Sequence, residues 1–319
     1  MNVVEVEDFT MHLAGDEFRR PVLDGVSVQV QAGRCLGIVG ESGSGKSLLA
    51  KALLGSTPAG ASTSGRISIA GTEIHDVDRR AVAAVRSRVA GIVFQDPRSS
   101  VNPLHPIGDF LTESVVRSGA LTGAAARLRA IELLETMRLP DPEQLLRRYP
   151  DELSGGMLQR VVIAAAMMPA PDVLICDEAT TALDVTTQAE IVRLLQRLQD
   201  ETGVAIVFVT HDLDLAGELC DELCVLYAGQ VQEYGPAERV LAAPRHPYTA
   251  ALLASIPRIT DLPARRLPVI PGVVLPLTAT AVGCRFADRC SLVGPACELP
   301  SIPLVESPQR AVRCVKESA

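Results

Sequence analysis

The eight residues 40–47, Gly-Glu-Ser-Gly-Ser-Gly-Lys-Ser, constrain this chain more than any other feature. They match G-x-x-x-x-G-K-[ST], a Gly-rich turn whose backbone N–H groups wrap a polyphosphate. The run 35–39 before it is short and apolar, as a buried strand is. The run 48–54 after it suits a helix whose N-terminus turns its partial positive charge on the phosphates. In that arrangement Lys46 reaches the β- and γ-phosphates and the Ser47 hydroxyl ligates Mg²⁺. The expected contacts are Gly40, Ser42, Gly43, Ser44, Gly45, Lys46, Ser47 and Leu48. Only Lys46, Lys51 and Lys316 are lysines in the whole chain, so Lys46 is no by-product of a lysine-rich composition. Nucleotide binding is the first expectation.

A length of 319 residues allows one large domain or two of ordinary size, and 47% hydrophobic with 21% charged residues describes a globular protein with a full core. The net charge of −8, with no basic block, argues against nucleic acid as the main partner. The first residues carry neither a basic n-region nor an apolar h-region, so nothing points to secretion. No apolar run approaches the roughly 18 residues of a spanning helix. The longest, 161–176, is broken by Pro169, Pro171 and Asp172. Work at a membrane is therefore expected from outside the bilayer.

Strand-like runs at 3–11, 22–30 and 35–39 predict an antiparallel β-layer feeding the loop, and 66–70 predicts a further strand. Between 96 and 150 the pattern turns helical, as an insertion. The α/β alternation resumes with a strand at 173–176, a helix at 187–199 and a strand at 204–210. A hairpin around Gly229 follows. After Pro244 the chain becomes Pro-rich, with Pro263, Pro268, Pro271 and Pro276 marking an extended linker or a loop-built module. Cys35 and Cys176 lie in apolar runs and are expected to be packed thiols. Cys220 and Cys224, four apart, have the spacing of one helical face and no metal partner nearby.

The apolar run 173–176 ends in Asp177 and Glu178, delivering Asp177 to the Mg²⁺ shell. Glu178, one residue on, is expected to point the other way across the strand, where it would position and deprotonate a water attacking the γ-phosphate. Ser154 is a predicted N-cap, and Gly155 and Gly156 after it let a ligand approach the exposed N–H groups. One chain cannot easily bring two such helix ends onto one triphosphate, so a head-to-tail pair is expected.

The loop 40–47, Gln95, the segment 153–156, Asp177 with Glu178, Leu183 with Asp184, and His211 together resemble an ABC-transporter ATPase subunit in order and spacing. The resemblance covers residues 1 to about 240. It implies that Gln95 touches Mg²⁺ and senses a permease, that Leu183 and Asp184 cross to the other subunit, and that His211 contacts the γ-phosphate. The implied catalytic set is Glu178, His211 and Gln95. Ser154, Gly155, Gly156, Asp177 and Asp184 join the nucleotide contacts, and Ser47, Gln95 and Asp177 hold Mg²⁺. The sequence departs from the family in having Met157 where Gln is usual, which keeps the backbone N–H. The segment 10–13 also offers no aromatic to stack on adenine, leaving His12 or Leu13 for that place.

The segment 245–253, Arg-His-Pro-Tyr-Thr-Ala-Ala-Leu-Leu, looks like the His-Pro-Tyr segment of ATPases serving oligopeptide, dipeptide and nickel importers. Behind it Cys284, Cys290, Cys297 and Cys314 follow a C-x5-C-x6-C-x16-C spacing, which fits no two-CxxC zinc ribbon. A reducing cytoplasm disfavours disulfides, and four thiolates suit a Cys₄ site. The family resemblance implies a [4Fe–4S] cluster there, with zinc or unmetallated thiols as alternatives. The expected fold class is α/β: a P-loop ABC ATPase with a RecA-like core, an antiparallel β-layer and a helical subdomain, plus a small Cys-rich C-terminal module. The expected domains are 1–244, with the helical part at about 96–165, and 245–319. The implied activity is ATP hydrolysis driving a binding-protein-dependent importer from the cytoplasmic face of the inner membrane. The implied partners are a second ATPase subunit, two membrane permeases and an extracytoplasmic binding protein. Residues 154–160 and 102–105 resemble nickel-branch subunits while the cysteine tail resembles the peptide branch, and peptides are the favoured cargo. A soluble ABC ATPase acting on ribosomes or DNA is the other class. It is disfavoured by the single cassette and the absence of a basic surface.

Overall fold

Three runs whose residues are all buried, Cys35–Val39 (β3), Val173–Asp177 (β7) and Ala205–Thr210 (β8), lie side by side in parallel, as strands covered on both faces do. They are interior strands of an eight-stranded sheet in a computed structural model that describes residues 1–15, 17–18, 20–74, 79–256, 269–280 and 282–316. The remaining strands of this sheet are β6 (Ala90–Val93), β9 (Glu222–Tyr227), β10 (Gln230–Pro236), β11 (Val305–Ser307) and β12 (Arg310–Val312), in the order β11-β12-β10-β9-β3-β8-β7-β6. A second, antiparallel sheet has the order β2-β1-β4-β5, from β1 (Asn2–His12), β2 (Leu23–Gln31), β4 (Ser62–Ile69) and β5 (Thr72–Glu73). The antiparallel layer exists as expected, but β3 is not part of it. The strand predicted at 66–70 starts at Ser62.

Successive side chains of the central strands serve two cores. Val207 and Val209 point to the core under the antiparallel sheet, shared with Leu49 and Leu53 of α1 (Lys46–Ala52) and its following turn. Ile206 and Phe208 point to the opposite core, which the helices cover. After α2 (Arg79–Arg88), the helical insertion comprises α3 (Ile107–Arg117), α4 (Gly123–Thr136), α5 (Pro142–Leu145) and α6 (Gly155–Met167). Leu111, Val115, Ala130, Leu134 and Val161 are buried in this opposite core. Among the described residues four further α-helices follow: α7 (Val185–Thr202), α8 (Leu213–Leu219), α9 (Ala237–Ala242) and α10 (Pro247–Ala254). No helix among the described residues is long and apolar enough to cross a membrane.

The C-terminal segment does not stand apart as a loop-built module. Its strand β12 pairs with β10, Glu233 opposite Val312 and Tyr234 opposite Ala311, so it extends the main sheet. Buried Glu233 forms an ion pair with Arg310 and accepts hydrogen bonds from the backbone N–H groups of Arg245 and His246. Phe286, also buried, stacks edge-on to Tyr227 and tilted against Tyr248. Pro263 and Pro268 lie outside the described residues. Cys220 and Cys224 share no helical face: Cys220 follows the last residue of α8, and Cys224 is inside β9.

Candidate nucleotide site

Gly40 leaves β3 with φ 150°, and a Cβ there would lie 2.1 Å from the Leu226 carbonyl oxygen, so no other residue fits. The chain then turns through Glu41, Ser42 and Gly43 into α1, with Ser42 and Gly43 exposed at the mouth. Lys46 is buried, and its Nζ donates to the carbonyls of Gly40 at 2.7 Å and Glu41 at 3.0 Å. Ser44 Oγ is buried with no hydrogen-bond partner among the described residues. An orphaned hydroxyl in a Gly-rich turn that opens a helix fits a phosphate oxygen. Leu48, in the first turn, packs its side chain toward the core under the antiparallel sheet and can offer the site only its backbone.

Ser47 donates to Asp177 Oδ1 at 2.8 Å, joining the loop to the end of β7. These are hard oxygen donors, the set that suits Mg²⁺. Burial lowers the Lys46 ammonium from its ordinary value, opposed by Glu178, Asp177 and Glu41. Burial likewise raises Asp177, opposed by the Ser47 hydrogen bond and increased by neighbouring Glu178. Both shifts run against the charged form, so the pocket favours arrival of compensating charges on ligand and metal.

Glu178 is not where strand alternation predicts. Its φ is 53°, left-handed for a residue with a side chain, because β7 ends at Asp177 and the chain turns there. Its backbone N–H still donates to the Val209 carbonyl at 2.9 Å, which anchors the turn to β8. Its Oε2 accepts from Thr181 Oγ1 at 3.3 Å and lies 3.8 Å from His211 Nδ1. Strained conformations of this kind cluster at functional sites. Val93 of β6 is in register with Cys176, and Asp177 with Val209, so Gln95, Glu178 and His211 leave the same edge of the sheet. Gln95 is exposed there.

Ser154 caps α6, accepting from the Met157 N–H at 3.3 Å, and Asp184 caps α7, accepting from the Thr187 N–H at 3.1 Å and its hydroxyl at 2.6 Å. Those hydrogen bonds hold the Asp184 carboxyl below its usual range. A Cβ on Gly156 would come within 2.9 Å of Thr187 Cγ2, so the two helix starts sit close together. Ser154, Gly155, Gly156, Leu183 and Asp184 line one cavity of about 740 Å³, and none of residues 40–47 lines it. The two anion-binding elements of the sequence therefore face different spaces within one chain.

Met11 is fully buried, His12 is exposed, and Leu13 is partly buried against the core under the antiparallel sheet. Phe18 is half-buried on the connection from β1 to β2. That connection ends at Val22, whose carbonyl oxygen lies 3.1 Å from where a Gly45 Cβ would be. Phe18 is the one aromatic of the sequence between β1 and β2.

The four tail cysteines require a correction. Cys284, Cys290, Cys297 and Cys314 do converge, with Phe286 and Ile302, but around a cavity of only about 10 Å³, scarcely room for one water. Among the described residues no three His, Cys, Asp or Glu side chains are arranged to hold a metal ion. Burial pushes the Cys284 thiol up to about 11, and the neighbouring thiols add to the rise. The [4Fe–4S] assignment and its zinc alternative are both withdrawn: the thiols pack as small hydrophobes. The expectation failed because it counted only the tail's own apolar residues. The tail instead borrows the core of the main body through Phe286 and β12.

A phosphate loop closing a buried strand, an acidic strand end hydrogen-bonded to it and a helical insertion opening on Ser154 define an ATP-binding cassette. Residues 23–181 match the ABC transporter family, and residues 232–297 match the oligopeptide/dipeptide transporter C-terminal region. The chain is 40% identical over 98% of its length to a probable peptide ABC transporter ATP-binding protein of Sinorhizobium fredii, covering 94% of that protein. It is also 40% identical to a probable D,D-dipeptide transport ATP-binding protein of Escherichia coli, over 90% of this chain and 89% of that one. An oligopeptide transport ATP-binding protein of Mycobacterium tuberculosis is 41% identical over 92% of this chain, which spans about half (48%) of that longer protein. Among solved structures, the cassette MJ0796, a dimer in a post-hydrolysis state bound to ADP and Pi, superposes with a TM-score of 0.64 at 29% identity, over 73% of this chain and 98% of that one. CbiO1 of Clostridium perfringens, part of an ABC transporter complex, superposes with a TM-score of 0.65 at 30% identity, over 76% and 91%. The chain belongs to the ATP-binding proteins of ABC transporters, in the branch that carries the oligopeptide/dipeptide C-terminal region.

Proposed function

We propose that this chain is the ATP-hydrolysing subunit of a binding-protein-dependent importer of peptides. The observation that carries the ATPase reading is the Ser47–Asp177 hydrogen bond, which joins the phosphate loop to the acidic strand directly beside buried Lys46. Peptide cargo rests on the relatives named above and on the C-terminal region shared with oligopeptide and dipeptide transporters.

In this reading residues 40–47 bind the triphosphate, with Lys46 at the β- and γ-phosphates. Mg²⁺ held by Ser47 and Asp177, with Gln95 as a third donor, supplies charge against the phosphate oxygens. Glu178 orients a water and takes its proton, and His211 contacts the γ-phosphate. Phe18, rather than His12 or Leu13, stacks on adenine. Ser154, Gly155 and Gly156 cap the triphosphate bound by a second cassette, while Leu183 and Asp184 cross between the two. The domain division is one nucleotide-binding body, 1–244, with its helical part at about 96–165, and a 245–319 segment docked on it.

The partners are a second ABC ATPase, two membrane permeases and an extracytoplasmic binding protein, with this chain peripheral on the cytoplasmic face of the membrane. The segment 95–150 combines the exposed Gln95 at the sheet edge with the outer helices, and is the proposed permease dock. ATP drives transport only through preferential binding to the closed pair. The test is reconstitution: the subunits encoded with this chain, in proteoliposomes, should take up labelled peptide only with internal ATP and Mg²⁺. Uptake surviving Lys46→Ala, or ATP-dependent uptake of nickel in place of peptide, would refute the reading.

A further inference from the structure

The phosphate loop is gripped from outside itself. Glu41, its second residue, uses three groups at once. Its backbone N–H donates to Tyr248 Oη at 2.8 Å, and its carboxylate takes both arms of Arg289, at 2.7 and 3.0 Å. Its carbonyl accepts from Lys46 Nζ at 3.0 Å and from the Ser44 N–H at 3.2 Å. Two of these groups thus lead to residues more than 200 positions away, and the third leads into the loop and to its lysine.

The grip is rigid on its outer side. Tyr248 is fully buried, its ring 4.6 Å from Tyr227 and 5.3 Å from Phe286. It is placed by α10, which starts with Pro247 and is capped by His246, whose Nδ1 accepts the Tyr248 N–H at 3.0 Å. Arg289 has a side chain only 4% exposed; its Nε donates to the Pro271 carbonyl at 2.7 Å and its guanidinium lies over Tyr227 and Phe286. The Glu41 carboxylate holds that guanidinium charged, above its ordinary value. Bidentate, charge-assisted pairs fix orientation as well as distance.

We propose that Arg289 and Tyr248 are positioning residues for ATP binding: through Glu41 the C-terminal segment sets the shape of the phosphate loop and the reach of Lys46. This rests on the loop being the ATP site. The His-Pro-Tyr segment then has a specific task, with His246 and Pro247 starting the helix that aims the Tyr248 hydroxyl at the loop. A purely structural tail would need no contact to Glu41, since Arg310, Glu233 and Phe286 already fasten it to the body.

The test is the ATP dissociation constant of the full chain, with thermal unfolding measured alongside. Arg289→Met and Glu41→Gln should each raise it about tenfold, the loss of one charge-assisted contact of roughly 1.4 kcal/mol. The double variant should be no weaker than either single one, because both remove the same link. Arg289→Lys, which keeps the charge but not the fork, should recover part of the loss. Tyr248→Phe removes only the hydroxyl and covers the case in which Arg289→Met does not fold; it should weaken ATP several-fold. Wild-type affinity in folded Arg289→Met and Tyr248→Phe, or effects of Arg289→Met and Glu41→Gln that multiply, would overturn the proposal. Failure of the wild-type chain to bind ATP at all would instead overturn the nucleotide reading on which it rests.

Discussion

Glu178 Oε2 and His211 Nδ1 stand 3.8 Å apart, one on the left-handed turn that ends β7 and the other just past the end of β8. Adjacent parallel strands thus present a carboxylate and an imidazole at one edge, beside the Ser47–Asp177 bond. In the proposed mechanism the carboxylate is the base. Glu178→Gln should keep ATP binding, lower turnover by at least ~100-fold and trap a closed pair of cassettes. Turnover assayed with the partner subunits is the measurement, and near-normal rates would remove Glu178 from that role.

Activity should require a second cassette. The cavity beneath Ser154, Gly155 and Gly156 contains none of the loop residues 40–47, so within one chain that helix end has no triphosphate to cap. Purified alone at low concentration, the chain should be weakly active. Light scattering combined with an ATPase assay checks this, and full activity from a demonstrated monomer would contradict it.

Much of this was legible because it is local. The loop 40–47 and its flanking apolar run predict β3 to the residue, and Ser154 is the N-cap its position suggests. Glu178 was misplaced because period-2 alternation was extended one residue beyond the strand, where φ turns positive. No local pattern distinguishes that last residue from the strand before it. The tail was misread for a different reason. Its stability comes from partners far along the chain, Arg310 with Glu233 and Phe286 with Tyr227, and residue spacing within the tail contains no trace of them. Four cysteines within one short tail then invited a metal that their packed, apolar cavity does not accommodate.

Phe18 should contribute to nucleotide affinity through its ring. It is the only aromatic between β1 and β2, on the connection whose end lies against Gly45. Phe18→Ala should weaken ATP about tenfold and Phe18→Tyr should not, as stacking energies of 0.5–1.5 kcal/mol beyond burial imply. Equal binding of ATP by the wild type and Phe18→Ala would move the adenine contact elsewhere.

Stability should fall on mild acidification through His246. Burial lowers this imidazole from its usual 6.5 to about 4, the hydrogen bond with the Arg313 backbone opposing and the Arg313 charge adding to the effect. Its Nδ1 must stay unprotonated to accept the Tyr248 N–H and cap α10. In the unfolded chain the same group titrates near 6.5, so between pH 6.5 and 4 the unfolded state binds the extra proton and the folded state does not. The His246 contribution is therefore intact above pH 6.5 and declines as the pH drops toward 4, by about 3 kcal/mol in total. His246→Asn supplies a capping oxygen without a titrating group. Urea unfolding of both proteins at pH 7.5 and pH 4.5 should show the wild type losing about 2–3 kcal/mol more than the variant over that interval. Parallel losses in the two proteins would mean that His246 is not what couples folding to pH.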